Sequence, residues 1–113
     1  IRDFLFNNYW LELILKQIKS YHIFHNNLFC IGGGLKNSIN LKNLTRICEK
    51  LTNNKVKITN NMSTSIYDIP YYVTSLQKIK KFTKWEPKIS LNEGMEITYN
   101  WMKKNQTIIR KFF

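Results

Sequence analysis

Leu28-Phe29-Cys30-Ile31-Gly32-Gly33-Gly34 is an uninterrupted apolar run closed by three glycines. Four apolar residues are too few for a helix; they suit a strand covered on both faces and ended by a turn, the habit of a parallel sheet. Upstream, Leu11, Ile14, Leu15 and Ile18 recur at i, i+3, i+4 and i+7, which predicts an amphipathic helix over 8–21 with that stripe on the core. Downstream, Ser38 or Asn40 can cap a second helix whose Leu41, Leu44, Cys48 and Leu51 share a face and which Thr52-Asn53-Asn54 ends. Helix, strand and helix in succession make the class α/β.

The same reading extends to the C-terminus. Lys55-Val56-Lys57-Ile58-Thr59 alternates with period two, as a half-exposed strand does. Residues 60–65 are polar and turn-like, and Pro70 biases Asp68-Ile69-Pro70-Tyr71-Tyr72-Val73 toward an extended loop leading into a short strand. Thr74 or Ser75 can cap a third helix with Leu76, Ile79 and Phe82 inward and Lys78, Lys80 and Lys81 in solvent. Pro87 stops it, and Ser90-Leu91-Asn92-Glu93 has the spacing of a capping box. The last helix carries Leu91, Met95, Thr98 and Met102 on one face, with Trp101 beside them. There is no internal repeat and no low-complexity linker, so residues 1–113 read as a single domain.

Composition narrows the function classes. At 43% hydrophobic and 22% charged, the 113 residues have the apolar mass for a modest core, so disorder is not expected. Lys, Asn and Glu interrupt every candidate membrane span. The opening Ile1-Arg2-Asp3-Phe4-Leu5 lacks the layout of a secretory signal, and two cysteines, Cys30 and Cys48, are too few for a disulfide scaffold; together they point to a reducing cytoplasm. The net charge of +11 raises the question of an acidic partner. It rests on 15 Lys against 3 Arg, scattered rather than clustered, whereas readers of phosphates and bases lean on the planar arginine fork. Nucleic-acid binding is therefore the weaker reading.

Several constellations invite chemistry and are better explained otherwise. His22 and His25 with Cys30 and Cys48 lack the paired spacing of a zinc site, so no metal is expected. Gly32-Gly33-Gly34 is followed by Leu35-Lys36-Asn37, which fits neither a dinucleotide fingerprint nor a P-loop. Tyr99 and Lys103 have the Tyr-x-x-x-Lys spacing of a proton-transfer pair but stand on the terminal helix with no nucleotide fingerprint nearby. Glu93 is accounted for by capping, and Glu96 by solvent. No catalytic residue is expected in this chain.

Four motifs in order carry a family resemblance: Ile1-Arg2-Asp3-Phe4-Leu5; Phe29-Cys30-Ile31-Gly32-Gly33-Gly34 with Asn37-Ser38-Ile39; Asp68-Ile69-Pro70-Tyr71-Tyr72-Val73; and Trp85-Glu86-Pro87-Lys88-Ile89-Ser90-Leu91-Asn92-Glu93-Gly94. The series resembles the C-terminal portion of the Rossmann-type extended short-chain dehydrogenase/reductases, the NAD-dependent nucleotide-sugar epimerases and dehydratases. The Asp68–Val73 stretch looks most like the CDP-paratose (CDP-tyvelose) 2-epimerase branch of these isomerases. The resemblance implies a partial domain, 1–113, that helps to hold the nucleotide-sugar. The Rossmann domain that binds NAD, with the family's Gly-x-x-Gly-x-x-Gly loop and catalytic Tyr-x-x-x-Lys, would lie upstream of Arg2, in a homodimeric cytoplasmic parent. In that parent NAD would oxidise the sugar transiently and return the same hydride; this chain would not be catalytic alone.

The resemblance also implies site residues. The family's arginine on the substrate diphosphate carries over to Arg2, the aromatic after it to Phe4, and the aspartate near the nucleotide ribose to Asp68. A planar guanidinium suits a diphosphate, and a carboxylate can accept two ribose hydroxyls. The chain departs from the family at Ser65, where an arginine is usual, and at Phe6-Asn7-Asn8-Tyr9, where His-Val-x-Asp is usual. Two other functions stay open at this level: a degenerate remnant with no catalytic role, and a small basic nucleic-acid-binding protein. The Leu28–Ile31 strand is expected to pair with the upstream sheet, which leaves the chain marginal in isolation.

Overall fold

The computed structural model describes residues 1–59 and 65–112. Its elements in chain order are β1 (Arg2–Asp3), α1 (Asn7–Lys19), α2 (Tyr21–Phe24), a 3-10 turn (Leu35–Asn37), β2 (Ser38–Ile39), α3 (Leu41–Thr52), α4 (Gln77–Thr83), α5 (Leu91–Lys104) and α6 (Gln106–Ile109). Among the described residues there is one sheet, with β1 antiparallel to β2, Arg2 opposite Ile39 and Asp3 opposite Ser38. Tyr72 adds an isolated parallel bridge to Arg2. The outcome is helical with a few short strands.

Local chemistry explains the starts of α3 and α5. Asn40 Oδ1 accepts the backbone N–H of Asn43 at 2.8 Å and so starts α3, which stops at Asn53 in the left-handed region (φ 51°) that asparagine tolerates. Ser38, the other capping candidate, lies in β2 and its hydroxyl donates to Leu35 O. The capping box opens α5 as the sequence predicts: Ser90 Oγ accepts the N–H of Glu93, and the Glu93 carboxylate accepts that of Ser90. The third helix begins later than expected. Leu76 is its N-cap without a side-chain bond, because Thr74 is buried beside Gly32 rather than free to cap.

The core gathers where α1 crosses α4. Leu13, Ile79 and Trp85 are its buried hydrophobic residues among those described, with Leu5, Tyr9, Phe24, Phe29, Ile31 and Leu76 packed around them. Lys16 lays its stem along this contact and donates from Nζ to Thr83 O at 2.6 Å, tying α1 to the end of α4. Thr83 Oγ1 in turn donates to Ile79 O and accepts the N–H of Trp85, which turns the chain out of α4. On the other side, α3 packs against α5.

Four expectations are corrected. Leu28–Ile31 is not a strand: no strand among the described residues lies beside it, so its backbone has no ladder to join, Leu28 is 83% exposed and Cys30 is a surface thiol. Phe29 instead stacks edge-on against Phe24 and Phe82, and Lys78 lies over its ring. Residues 55–59 form no strand either, with Val56 and Ile58 both exposed. The 68–73 stretch keeps only the bridge at Tyr72. Finally, α1 is largely turned over: of its predicted stripe Ile14 stays half-buried, but Leu11, Leu15 and Ile18 are more than half exposed, and Tyr9, Leu13 and Lys16 face the core.

Candidate substrate-binding site

The glycines let the end of β1 and the residue after it lie directly against the 32–34 turn. A Cβ on Gly33 would sit 2.0 Å from Phe4 O, and one on Gly32 would sit 2.4 Å from Asp3 Oδ2. Gly34 adopts φ 68° and donates its N–H to Asp3 Oδ2 at 2.9 Å. The second residue of the Arg-Asp motif thus fastens the turn. Asn37, 7% exposed, completes the joint: its Nδ2 donates to Ile89 O at 3.2 Å and its Oδ1 accepts the N–H of Leu91 at 3.0 Å, tying the 3-10 turn to the start of α5. Neither role was legible in the sequence, because both partners are remote in the chain.

The three residues singled out as substrate contacts come together at one cleft. Tyr72 N–H donates to Ile1 O at 3.0 Å, laying the segment after Pro70 along β1. A turn in which Asp68 N–H donates to Ser65 O, and Tyr67 N–H to Ser65 Oγ, presents Asp68 to Arg2. Arg2 Nη2 then donates to Asp68 Oδ1 at 2.9 Å, while Nη1 is occupied by Ile1 O at 2.8 Å. Ser65 therefore shapes the turn that carries Asp68. Arg2, Phe4 and Asp68 border a cleft of about 400 Å³, with Ile1, Ile39, Asn40, Leu41, Leu44 and Pro70 as its remaining walls. None of these was expected to be a substrate contact; β-pairing brings Ile39 opposite Arg2, and α3 follows directly.

Chemically, the cleft offers a fork of guanidinium donors, a carboxylate acceptor, an aromatic ring and aliphatic walls. That set can grip an anionic group and a hydroxyl-bearing ring while an apolar or aromatic moiety lies on the walls. Arg2 and Asp68 are each about half exposed, so both can re-aim at a ligand. A second, smaller cleft of about 170 Å³ lies on the far side of Phe4, between Phe6 and Met95.

The other constellations have structural settings. His25 Nδ1 is 2.6 Å from the Tyr21 hydroxyl, and among the described residues no group of three or more His, Cys, Asp or Glu is placed to hold a metal ion. Cys48 is half-buried and free. The Lys103 ammonium lies over the Tyr99 ring, a packing arrangement on α5. Gly32–Gly34 do not fit the phosphates of a dinucleotide. The Asp3 carboxylate takes the Gly34 N–H, and Phe4 O fills the space beside Gly33.

Comparison with known proteins agrees with the family resemblance at a coarse level. No family model and no solved structure matches the chain. Among curated proteins it is 35% identical over 80 residues to a UDP-glucuronate 4-epimerase of Thermodesulfobacterium geofontis, covering 71% of this chain and 24% of that protein. It is 28% identical over 101 residues to a CDP-paratose 2-epimerase of Salmonella typhi, covering 89% of this chain and 30% of that protein. No helix of the described residues is long and apolar enough to cross a membrane. The chain thus spans under a third of the curated relatives it matches, and it is similar, at low identity, to nucleotide-sugar epimerases.

Proposed function

We propose that this chain is the C-terminal, substrate-binding portion of an NAD-dependent nucleotide-sugar epimerase of the extended short-chain dehydrogenase/reductase type, nearest in kind to the CDP-paratose 2-epimerases. One observation carries the reading: Arg2 and Asp68, which the resemblance assigns to diphosphate and ribose, meet at 2.9 Å on the rim of one cleft that Phe4 also lines. The similarity to two sugar-nucleotide epimerases supports the substrate class. In this reading Arg2 binds the diphosphate with the fork now shared between Asp68 and Ile1 O, and Asp68, released, accepts the ribose hydroxyls. Phe4 and the aliphatic wall take the flat face of the base. In this reading the NAD site, the catalytic tyrosine and lysine and the hydride chemistry belong to the polypeptide upstream of Arg2, and the glycine turn, which does not fit a dinucleotide, supports it.

The test begins with the reading frame upstream of Ile1, where a Gly-x-x-Gly-x-x-Gly loop and a Tyr-x-x-x-Lys are expected. The polypeptide it encodes is then titrated calorimetrically with CDP- and UDP-sugars. Saturable binding that Arg2→Ala weakens at least tenfold is the expected result. A frame without these motifs, or a polypeptide blind to both nucleotide-sugars, would leave a non-catalytic remnant.

A further inference from the structure

Among the described residues, three polar side chains line the cleft beside Arg2. Arg2 and Asp68 have ligand partners in the proposed reading; the third, Asn40, has no role in it. Asn40 stands where β2 hands over to α3, one residue beyond the Ile39 that pairs with Arg2. It is held from both sides, by the β ladder before it and by its own cap after it. The wall around it is otherwise apolar, formed by Ile39, Leu41 and Leu44.

The cap decides which end of the amide a ligand meets. Asn40 Oδ1 accepts the backbone N–H of Asn43 at 2.8 Å. A backbone N–H can only donate, so the atom resting on it must be the oxygen, and the amide cannot turn round without losing the cap. Nδ2 is the end left over: Asn40 is exposed, and Nδ2 makes no hydrogen bond among the described residues. What Asn40 offers the cleft is therefore donors and no acceptor.

A donor fixed on an apolar wall is selective. A flat ring laid on Ile39, Leu41 and Leu44 displaces water from Nδ2, and a ring with no acceptor at that point leaves the amide unpaired. On a pyrimidine, the ring N3 and the group at position 4 reverse polarity between the two bases: cytosine has a bare N3 and an amino group, uracil an N3–H and a carbonyl. The 2-carbonyl is an acceptor in both. It is the one edge that a donor-only side chain can match in either base.

We infer that Asn40 is the base-reading residue of this cleft: its Nδ2 donates to the 2-carbonyl of a pyrimidine, so the cleft takes cytidine and uridine diphosphates alike. The inference rests on the reading of the cleft as a nucleotide-sugar site, and it adds the class of base and the side chain that recognises it. Asn40 then does two things at once, capping α3 with its oxygen and binding with its nitrogen. Serine divides them, because its hydroxyl caps a helix as asparagine does but has no second end to offer a ligand.

The test uses the polypeptide encoded by the full reading frame, titrated calorimetrically with CDP, UDP, ADP and inorganic pyrophosphate, beside its Asn40→Ser variant. Expected are CDP and UDP affinities within about threefold of each other, ADP weaker than both by more than that, and a loss of about threefold or more for CDP and UDP alike in Asn40→Ser. Pyrophosphate binding and the urea midpoint should not change. 2-Thio-UDP, whose sulfur is a poor acceptor, removes the same bond from the ligand side without touching the fold. It should bind the unsubstituted polypeptide about threefold or more weakly than UDP, and that penalty should vanish in Asn40→Ser. If the variant's urea midpoint falls, the comparison of UDP with 2-thio-UDP on the unsubstituted polypeptide decides alone. The inference is overturned if Asn40→Ser spares either nucleotide, if the 2-thio penalty is absent or persists in the variant, or if ADP binds as tightly as CDP and UDP. It is also overturned if pyrophosphate weakens equally, which would put the donor on the diphosphate. A polypeptide that binds none of the four ligands removes the proposed function, whereas nucleotide binding that depends on Arg2 but not on Asn40 removes this inference alone.

Discussion

Arg2 Nη2 donates to Asp68 Oδ1 at 2.9 Å across a separation of 66 positions in the chain. The pair is about half exposed on both sides, so it contributes at most about 1 kcal/mol to stability. A weak pair at the rim of a cleft opens at little cost when a better partner arrives. That separates its two measurable effects. In the full polypeptide, Arg2→Ala should leave urea unfolding within about 1 kcal/mol of the parent and weaken CDP- or UDP-sugar binding at least tenfold. Arg2→Lys should recover only part of the affinity, since an ammonium has no planar fork. Equal binding by all three proteins would remove Arg2 from the site.

Gly33 faces the carbonyl of Phe4 so closely that a Cβ would meet it at 2.0 Å. That neighbour is backbone of the segment that follows β1 and cannot swing aside. Gly33→Ala should cost about 3 kcal/mol or more and uncouple β1 from the glycine turn, read as a lost or broadened thermal transition. A substitution tolerated within 1 °C of the parent melting temperature would contradict the close approach.

Asn37 uses both ends of its amide, and both partners are backbone groups at the start of α5. Replacing it with Ala leaves a part-buried carbonyl and a part-buried N–H without partners, a loss of about 1–3 kcal/mol in denaturant unfolding. Asn37→Asp should not rescue it, because a carboxylate cannot donate to Ile89 O. Ser90→Ala, by contrast, removes one cap bond in a solvated setting and should cost about 1 kcal/mol.

The Glu86 carboxyl titrates below the range of a solvated glutamate, chiefly because it accepts a hydrogen bond from the Lys80 ammonium, and further through the charge attraction of Lys80. A depressed folded-state pKa means that the unfolded chain binds the proton more readily. The contribution is therefore present above the unfolded-state pKa and is lost as pH falls through the folded one. Carbon-detected NMR should place the Glu86 midpoint below the ordinary glutamate value, and Lys80→Met should move it back up. An unmoved midpoint would show that the pair does not persist in solution.

What the sequence determined by itself is local. Asn40 and Ser90 cap helices because their side-chain oxygens reach N–H groups three residues on, and the turn residue Asn53 ends α3 because asparagine tolerates a positive φ. Arg2, Phe4 and Asp68 were legible as expected substrate contacts only through the family resemblance, which the four motifs in order carry. Tertiary structure decided what depends on a neighbour. Whether Leu28–Ile31 becomes a strand turns on a partner backbone, and none of the described residues offers one. Periodicity put the Leu11, Ile14, Leu15 and Ile18 stripe of α1 on the core, whereas the Leu13 side is buried because Ile79 and Trp85 pack there, a choice that rests on residues remote in the chain. The roles of Asp3 and Asn37 likewise required the fold, because a carboxylate or an amide in the sequence does not reveal which distant backbone group it will satisfy.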